Sequence, residues 1–116
     1  MTMQFRRLLD AITRVRGVQG AMLVAGHDGL VVAESLMEGV RGNAVAALAA
    51  SLMQRLRSAA EAGGVGPPHF LHLQASGGTL LAVPAPEDML LVTVADAGVN
   101  VGLVRLEMLR AVEDVA

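Results

Sequence analysis

The chain reads as an α/β domain of the α+β kind: a five-stranded antiparallel sheet with helices on both faces, in the order αββαβββα. Three observations predict this. Short runs rich in Val, Leu and Ala are separated by Gly, Asp and Pro turn clusters, so the strands are joined as hairpins and not through βαβ crossovers. Several strands, such as Leu30-Val31-Val32, Leu80-Leu81-Ala82-Val83 and Leu90-Leu91-Val92, are apolar at successive positions. Successive side chains point to opposite faces, so both faces need cover and a three-layer arrangement follows.

The first element is a helix. Phe5, Leu8, Leu9 and Ile12 recur at i, i+3, i+4 and i+7, with Arg6, Arg7, Asp10 and Arg14 opposite them. Thr2 is a candidate N-cap and Gly17 a stop. Ala21 to Ala25 and Leu30 to Glu34 then flank Gly26-His27-Asp28-Gly29, a hairpin with turn chemistry. Asn43 is the expected cap of a second helix, Ala44 to about Ala62, which Gly63-Gly64 ends. After Pro67-Pro68 come strands at Phe70 to Ala75, Thr79 to Val83 and Met89 to Val94, with turns at Ser76-Gly77-Gly78 and Pro84 to Asp88. A last helix starts near Val101, with Asn100 or Asp96 at its head. If hairpin and meander share a sheet, the simplest join puts the last strand beside the first and gives the order 2-1-5-4-3.

Composition narrows the function. The 116 residues suit one domain, taken as 1–116, and 53% hydrophobic against 17% charged residues is the reverse of a disordered composition. Only Phe5 and Phe70 are aromatic. All nine basic residues are arginines, scattered in sequence, in a chain of net charge −2, so no basic stripe with stacking platforms argues for nucleic acid. The absence of cysteine excludes disulfides and thiolate sites and makes a cytoplasmic location the expectation. The N-terminus lacks the basic-then-apolar order of a signal peptide, so no export is expected. A stretch of 25 residues between Glu61 and Glu87 lacks charged side chains, but it holds five glycines and four prolines and is not expected to insert in a membrane.

Two surfaces look unfinished. In the second helix Val45, Leu48, Ala49, Leu52 and Leu56 form the stripe expected to face the sheet, each large member contributing roughly 1.5–3 kcal/mol if fully buried. The opposite stripe is Ala47, Ser51, Gln54 and Ser58, with Ala50 beside it, and charges appear only at the flanks as Arg41, Arg55 and Arg57. Small residues so spaced let another helix approach closely, although alanine also favours any solvated helix. The third strand, Phe70-Leu71-His72-Leu73-Gln74-Ala75, is an expected sheet edge without a charge to guard it. Two copies paired along that strand, with their second helices packed across a two-fold axis, would account for both. Ala47, Ser51, Gln54, Ser58, Phe70, His72 and Gln74 are the expected dimer contacts.

This order of elements, with Val18-Gln19-Gly20-Ala21-Met22-Leu23-Val24 leading into Asp28-Gly29-Leu30-Val31-Val32 and with Asn100-Val101-Gly102-Leu103-Val104-Arg105-Leu106-Glu107 opening the last helix, resembles the Roadblock/dynein light chain family. The resemblance implies a homodimer with a sheet continuous across the two-fold axis. It also implies a regulatory or scaffolding partner of small Ras-like GTPases; bacterial and archaeal members are similar to polarity and motility regulators that modulate GTP hydrolysis by their partner. Dynein-associated members are cargo adaptors.

No catalytic set emerges, and neither a cofactor nor a metal is expected. Without lysine the GxxxxGK[ST] phosphate loop and a Schiff base are impossible, so the chain is not expected to be an enzyme. His69 and His72, three apart on a strand, point to opposite faces and make a poor metal pair. Glu87-Asp88 and Glu113-Asp114 are adjacent pairs, whereas acid/base carboxylates stand across a substrate. Gly63-Gly64-Val65-Gly66 follows a helix, as a C-cap does and a phosphate cradle does not. Arg41, Arg55 and Arg57 are expected on an interface rim toward a GTPase, with a catalytic arginine in trans as the sharper and less favoured reading of Arg55 and Arg57. A pure adaptor and a small-molecule-sensing module are the alternatives.

Overall fold

Turn chemistry and edge pairing set the sheet. The computed structural model describes residues 2–115, with α1 (Thr2–Thr13), β1 (Val18–Ala25), β2 (Val31–Leu36), α2 (Gly42–Ala62), β3 (Leu71–Ala75), β4 (Gly78–Ala85), β5 (Met89–Ala95) and α3 (Val101–Val115) in chain order. The strands form one antiparallel sheet in the order β2-β1-β5-β4-β3, as the sequence predicts. Pairing β1 with β5 brings the two ends of the chain's strand set together, which leaves β2 and β3 as the edges.

The helices divide between the faces. On one side α1 and α3 bury Leu9, Ile12, Val104 and Met108 against Leu23, Leu81 and Leu91. On the other, α2 buries Ala46, Ala49 and Met53 against Met22, Val24, Leu90 and Val92. Leucine, methionine and isoleucine thus supply the large core side chains that the missing aromatics do not. The cover on the α2 side is incomplete: Leu73 on β3 remains 48% exposed.

Helix ends follow capping rules, with two corrections. Asn100 heads α3, its Oδ1 accepting the Leu103 N–H at 3.0 Å. At the end of α2 the Gly64 N–H donates to the Glu61 carbonyl and the Val65 N–H to that of Ala60, with Gly64 at φ +70. That pair of bonds is a Schellman motif, and its left-handed residue favours glycine. Asn43, by contrast, does not cap α2. The helix begins at Gly42, with Arg41 at the cap position and no side-chain cap bond. A Cβ at Gly42 would stand 2.6 Å from Leu36 Cδ1 and 2.8 Å from Glu34 Oε2, so a larger residue would have to push aside the ends of those two side chains where the first turn meets the end of β2. The cap expected at Thr2 falls on a side chain outside the described residues; α1 itself ends at Thr13, and Gly17 at φ +95 closes the following turn.

The second correction concerns the rotation of α2. Its buried residues are Gly42, Ala46, Ala49, Ala50 and Met53, so Leu48 is not turned to the sheet but is 70% exposed, and Ala50 is not outward but buried. Val45, Leu52 and Leu56 lie half-buried along one flank. Small residues win the inner face because they let the helix axis come close to the sheet, as Gly29 also shows: a Cβ there would stand 2.8 Å from Ala47 Cα.

Strand limits shift modestly. Gly78 joins β4 and leaves Ser76-Gly77 as the turn, Phe70 precedes β3, and β4 runs through Pro84 to Ala85. Proline is tolerated there because β3 pairs with β4 only as far as Ala82, beyond which β4 is itself an edge.

Candidate protein-interaction surface

The two sheet edges are built differently. Along β1 and β2 the register shifts between Leu23 and Val24: Leu23 faces Ala33 while Val24 faces Val31, which leaves Val32 as an unpaired bulge residue. A bulge and the neighbouring Glu34 are two of the devices that keep an edge from pairing further. Strand β3 has neither. Its five residues pair with β4 in unbroken register from Leu71 opposite Ala82 to Ala75 opposite Gly78.

Alternation sorts the β3 side chains by face. His72 is opposite Leu81, a residue of the α1/α3 core, and Leu71 and Leu73 are opposite Ala82 and Leu80 on the α2 side. Phe70, His72 and Gln74 therefore flank the edge on the α1/α3 side, away from α2. Phe70 packs against the α1/α3 core, and the Arg105 guanidinium lies over its ring, 4.7 Å from the centroid. The β3 residues that share a face with α2 are Leu71, Leu73 and Ala75, which the composition of the strand alone did not single out.

On α2 the expected outward residues Ala47, Ser51, Gln54 and Ser58 are all exposed, and Leu48 stands among them. Gln54 also holds the fold together locally, since its Nε2 donates to the carbonyls of Gly26 and His27 at 3.1 Å each and ties the β1–β2 turn to the helix. The Ser58 hydroxyl donates back to the Gln54 carbonyl at 3.3 Å. The arginines are not one cluster. Arg41 precedes the first turn and Arg55 follows fourteen residues later, about 21 Å along the axis. Arg57 pairs with Asp88 across 3.7 Å, an exposed contact of little energetic weight.

Beside the second half of α2 lies an open groove of about 550 Å³ lined by Leu56, Ala59, Ala60, Val65, Pro68 and Leu71 among others. It continues the apolar flank of the helix onto the start of β3. Between α1 and α3 an apolar cavity next to Leu8 and Val112 has room for only about 10 Å³. Among the described residues no three His, Asp or Glu side chains converge as metal ligands. The same residues include no helix long and apolar enough to cross a membrane.

Residues 5–95 match the Roadblock/LC7 domain. The chain belongs to that family. The Roadblock/LC7 match ends at the last residue of β5, so the Asn100–Glu107 motif lies beyond it. The uncharacterized protein MJ1340 of Methanocaldococcus jannaschii is 35% identical over 109 residues, covering 94% of each chain. Among solved structures, MglB in a tetrameric arrangement is 25% identical with a TM-score of 0.90, over 99% of this chain and 87% of that one. The gliding protein MglB of Thermus thermophilus has the same fold, at 24% identity and a TM-score of 0.88 over the same shares.

Proposed function

We propose that this Roadblock/LC7 protein is a homodimeric regulator of a small Ras-like GTPase in the cytoplasm. The observation that carries the reading is the unguarded β3 edge, with Leu71 and Leu73 on the sheet face that α2 covers, together with the small exposed residues Ala47, Ser51 and Ser58 of that helix. Pairing β3 with its copy in an antiparallel sense would extend the five-stranded sheet to a ten-stranded one, with Leu71, Leu73 and the exposed Leu48 brought under cover. Backbone bonds at an edge give affinity, and the apolar flanks give register.

The partner reading rests on family membership and on the likeness to MglB, a gliding protein, one structure of which is tetrameric. The chain acts without chemistry of its own: it holds switch segments of the GTPase in place, and hydrolysis takes place in the GTPase's site. Arg41, Arg55 and Arg57 are the residues we assign to the rim of that contact. Arg55 is the one of the three that stands in the middle of the exposed α2 face.

The test is to mix the purified chain with the Ras-like GTPase encoded nearest to it and to measure mass by light scattering together with GTP turnover. A dimer that binds the GTPase and changes its turnover or nucleotide exchange supports the proposal. A monomer at micromolar concentration overturns the dimer, and no complex overturns the GTPase reading. A complex with unchanged turnover and exchange identifies a pure adaptor.

A further inference from the structure

The edge strand β3 carries one side chain that can change its charge. Leu71, Leu73, Gln74 and Ala75 cannot titrate, whereas His72 can, and it is exposed. The hairpin around it supplies no counterion. Between Glu61 and Glu87 there is no Asp, Glu, Lys or Arg, so the loop into β3, its turn and all of β4 lack a carboxylate, and His69 is the only other titratable group. The packed elements add none. Across the ladder β4 sets Leu81 opposite His72. Arg105 of α3 lies over Phe70, two residues before His72 and on the same side of the sheet. The acids of α3 stand farther along: Glu107 pairs with Arg110 across 3.3 Å, and Glu113 and Asp114 follow about 12 Å beyond Arg105. On α2, Arg57 and Glu61 line a depression with Gly66 and Pro67, on the sheet face away from His72. Helix α1 packs over β1 and β2, toward the opposite edge.

Symmetry then places this histidine against its own copy. A two-fold axis normal to the sheet keeps every side chain on its own face, so antiparallel copies of β3 pair residues of like parity. The register that engages all five residues sets Leu73 opposite the partner's Leu73 and His72 opposite the partner's Gln74. His72 and the partner's His72 become diagonal neighbours on one face, about 7–8 Å apart. Histidine is the side chain that ordinarily changes charge between pH 5 and 8. Neutral imidazoles suit an uncharged seam. Protonated ones put two cations side by side, each near an Arg105, in a strand pair without a carboxylate.

We propose that His72 is a conditional guard of the β3 edge: acidification charges it, and the charge closes the strand to a second copy. This rests on the self-association reading above and adds to it a control by protons. A charge on an edge strand is one of the devices that prevent further pairing. On β2 that charge is permanent, in Glu34, whereas on β3 it exists only in acid. The free edge accepts a proton that the paired edge excludes, so lower pH favours separate protomers. With one proton excluded per copy, Kd rises by up to about a hundredfold over two pH units, and by about tenfold where salt screens the repulsion.

The test is the dimer Kd of the full chain, measured by sedimentation at about pH 7.5 and about pH 5.5. The wild-type chain is expected to dimerise about tenfold or more weakly at the lower pH. His72→Gln keeps a neutral polar side chain and is expected to change by less than about twofold over the same range. His69→Gln should follow the wild type, and His72→Arg, with its permanent charge, should be weakened already at the higher pH. Both positions are exposed, and unchanged circular dichroism and thermal melts at each pH verify the fold. Wild type and His72→Gln share every other ionisable group, so the difference between them reads His72 alone. A dimer whose Kd is the same at both pH values overturns the proton control and leaves self-association standing. Equal weakening of the wild type and His72→Gln also overturns it, by assigning the pH dependence to other groups. A chain that is monomeric at the higher pH overturns the self-association reading and this proposal together.

Discussion

The guanidinium of Arg105 lies 4.7 Å from the centroid of the Phe70 ring. This contact joins α3 to the residue that leads into β3, the edge on which self-association is proposed to depend. A cation over an aromatic face at an exposed site contributes about 0.5–1 kcal/mol. Arg105→Ala is expected to lower stability by about that amount and to speed amide exchange in Leu71 to Ala75 more than in β5. Uniform exchange across the sheet would show that the contact does not hold the strand.

The β4–β5 turn carries backbone strain. Glu87 and Asp88 have φ of 61 and 58, and the Met89 N–H donates to the Pro86 carbonyl at 3.3 Å. Two consecutive residues at positive φ within the turn are a conformation that asparagine and glycine adopt at least cost. Replacing Glu87 with Asn and Asp88 with Gly is expected to raise stability by about 1 kcal/mol in urea denaturation, even after loss of the exposed pair with Arg57. Lower stability would mean that the Arg57–Asp88 contact outweighs the strain.

How far the fold could be read from the sequence depended on whether local chemistry had one solution. The three hairpin turns and the Gly63-Gly64 stop could be read because few residues other than glycine, asparagine and aspartate adopt the backbone conformations that turns and helix stops require. The rotation of α2 could not. Apolar residues run around much of that helix, so periodicity alone gives it no unique phase, and close approach to the sheet selected Ala46, Ala49 and Ala50 over Leu48. The candidate surface was legible in part for the same reason. Absence of charge marks β3 as an edge, but which of its side chains share a face with α2 depends on register.

Thr93 presents the opposite of strain relief by a turn. Its hydroxyl is buried in the sheet without a hydrogen-bond partner among the described residues, and the side chain is 0% exposed. Valine has nearly the same shape and no polar group to desolvate. Thr93→Val is expected to stabilise the chain by about 1 kcal/mol, or roughly 4 °C in Tm. A loss of stability would reveal a partner for the hydroxyl, such as a bound water.

Gly29 is fixed by two constraints at once. Its φ is +74, and a Cβ would stand 2.8 Å from Ala47 Cα, a backbone atom that cannot step aside without moving α2. Gly29→Ala is expected to cost about 2–3 kcal/mol in chemical denaturation, more than the conformational penalty alone. A cost near 1 kcal/mol would show that the turn can lift away from the helix.

The contrast between the two edges yields the most direct test of self-association. Leu73 on β3 and Val32 on β2 are comparably exposed, at 48% and 42%, so a glutamate at either position is tolerated by the monomer. If two copies pair through β3, Leu73→Glu places a carboxylate from each copy in a desolvated seam. The expected penalty is on the order of 3 kcal/mol, roughly a hundredfold in Kd. Val32→Glu adds its charge to an edge already closed by a bulge and leaves the dimer intact. Sedimentation equilibrium on both variants distinguishes the edges, because a dimer disrupted only by Val32→Glu would move the interface to β2. A dimer insensitive to both would place it off the sheet altogether.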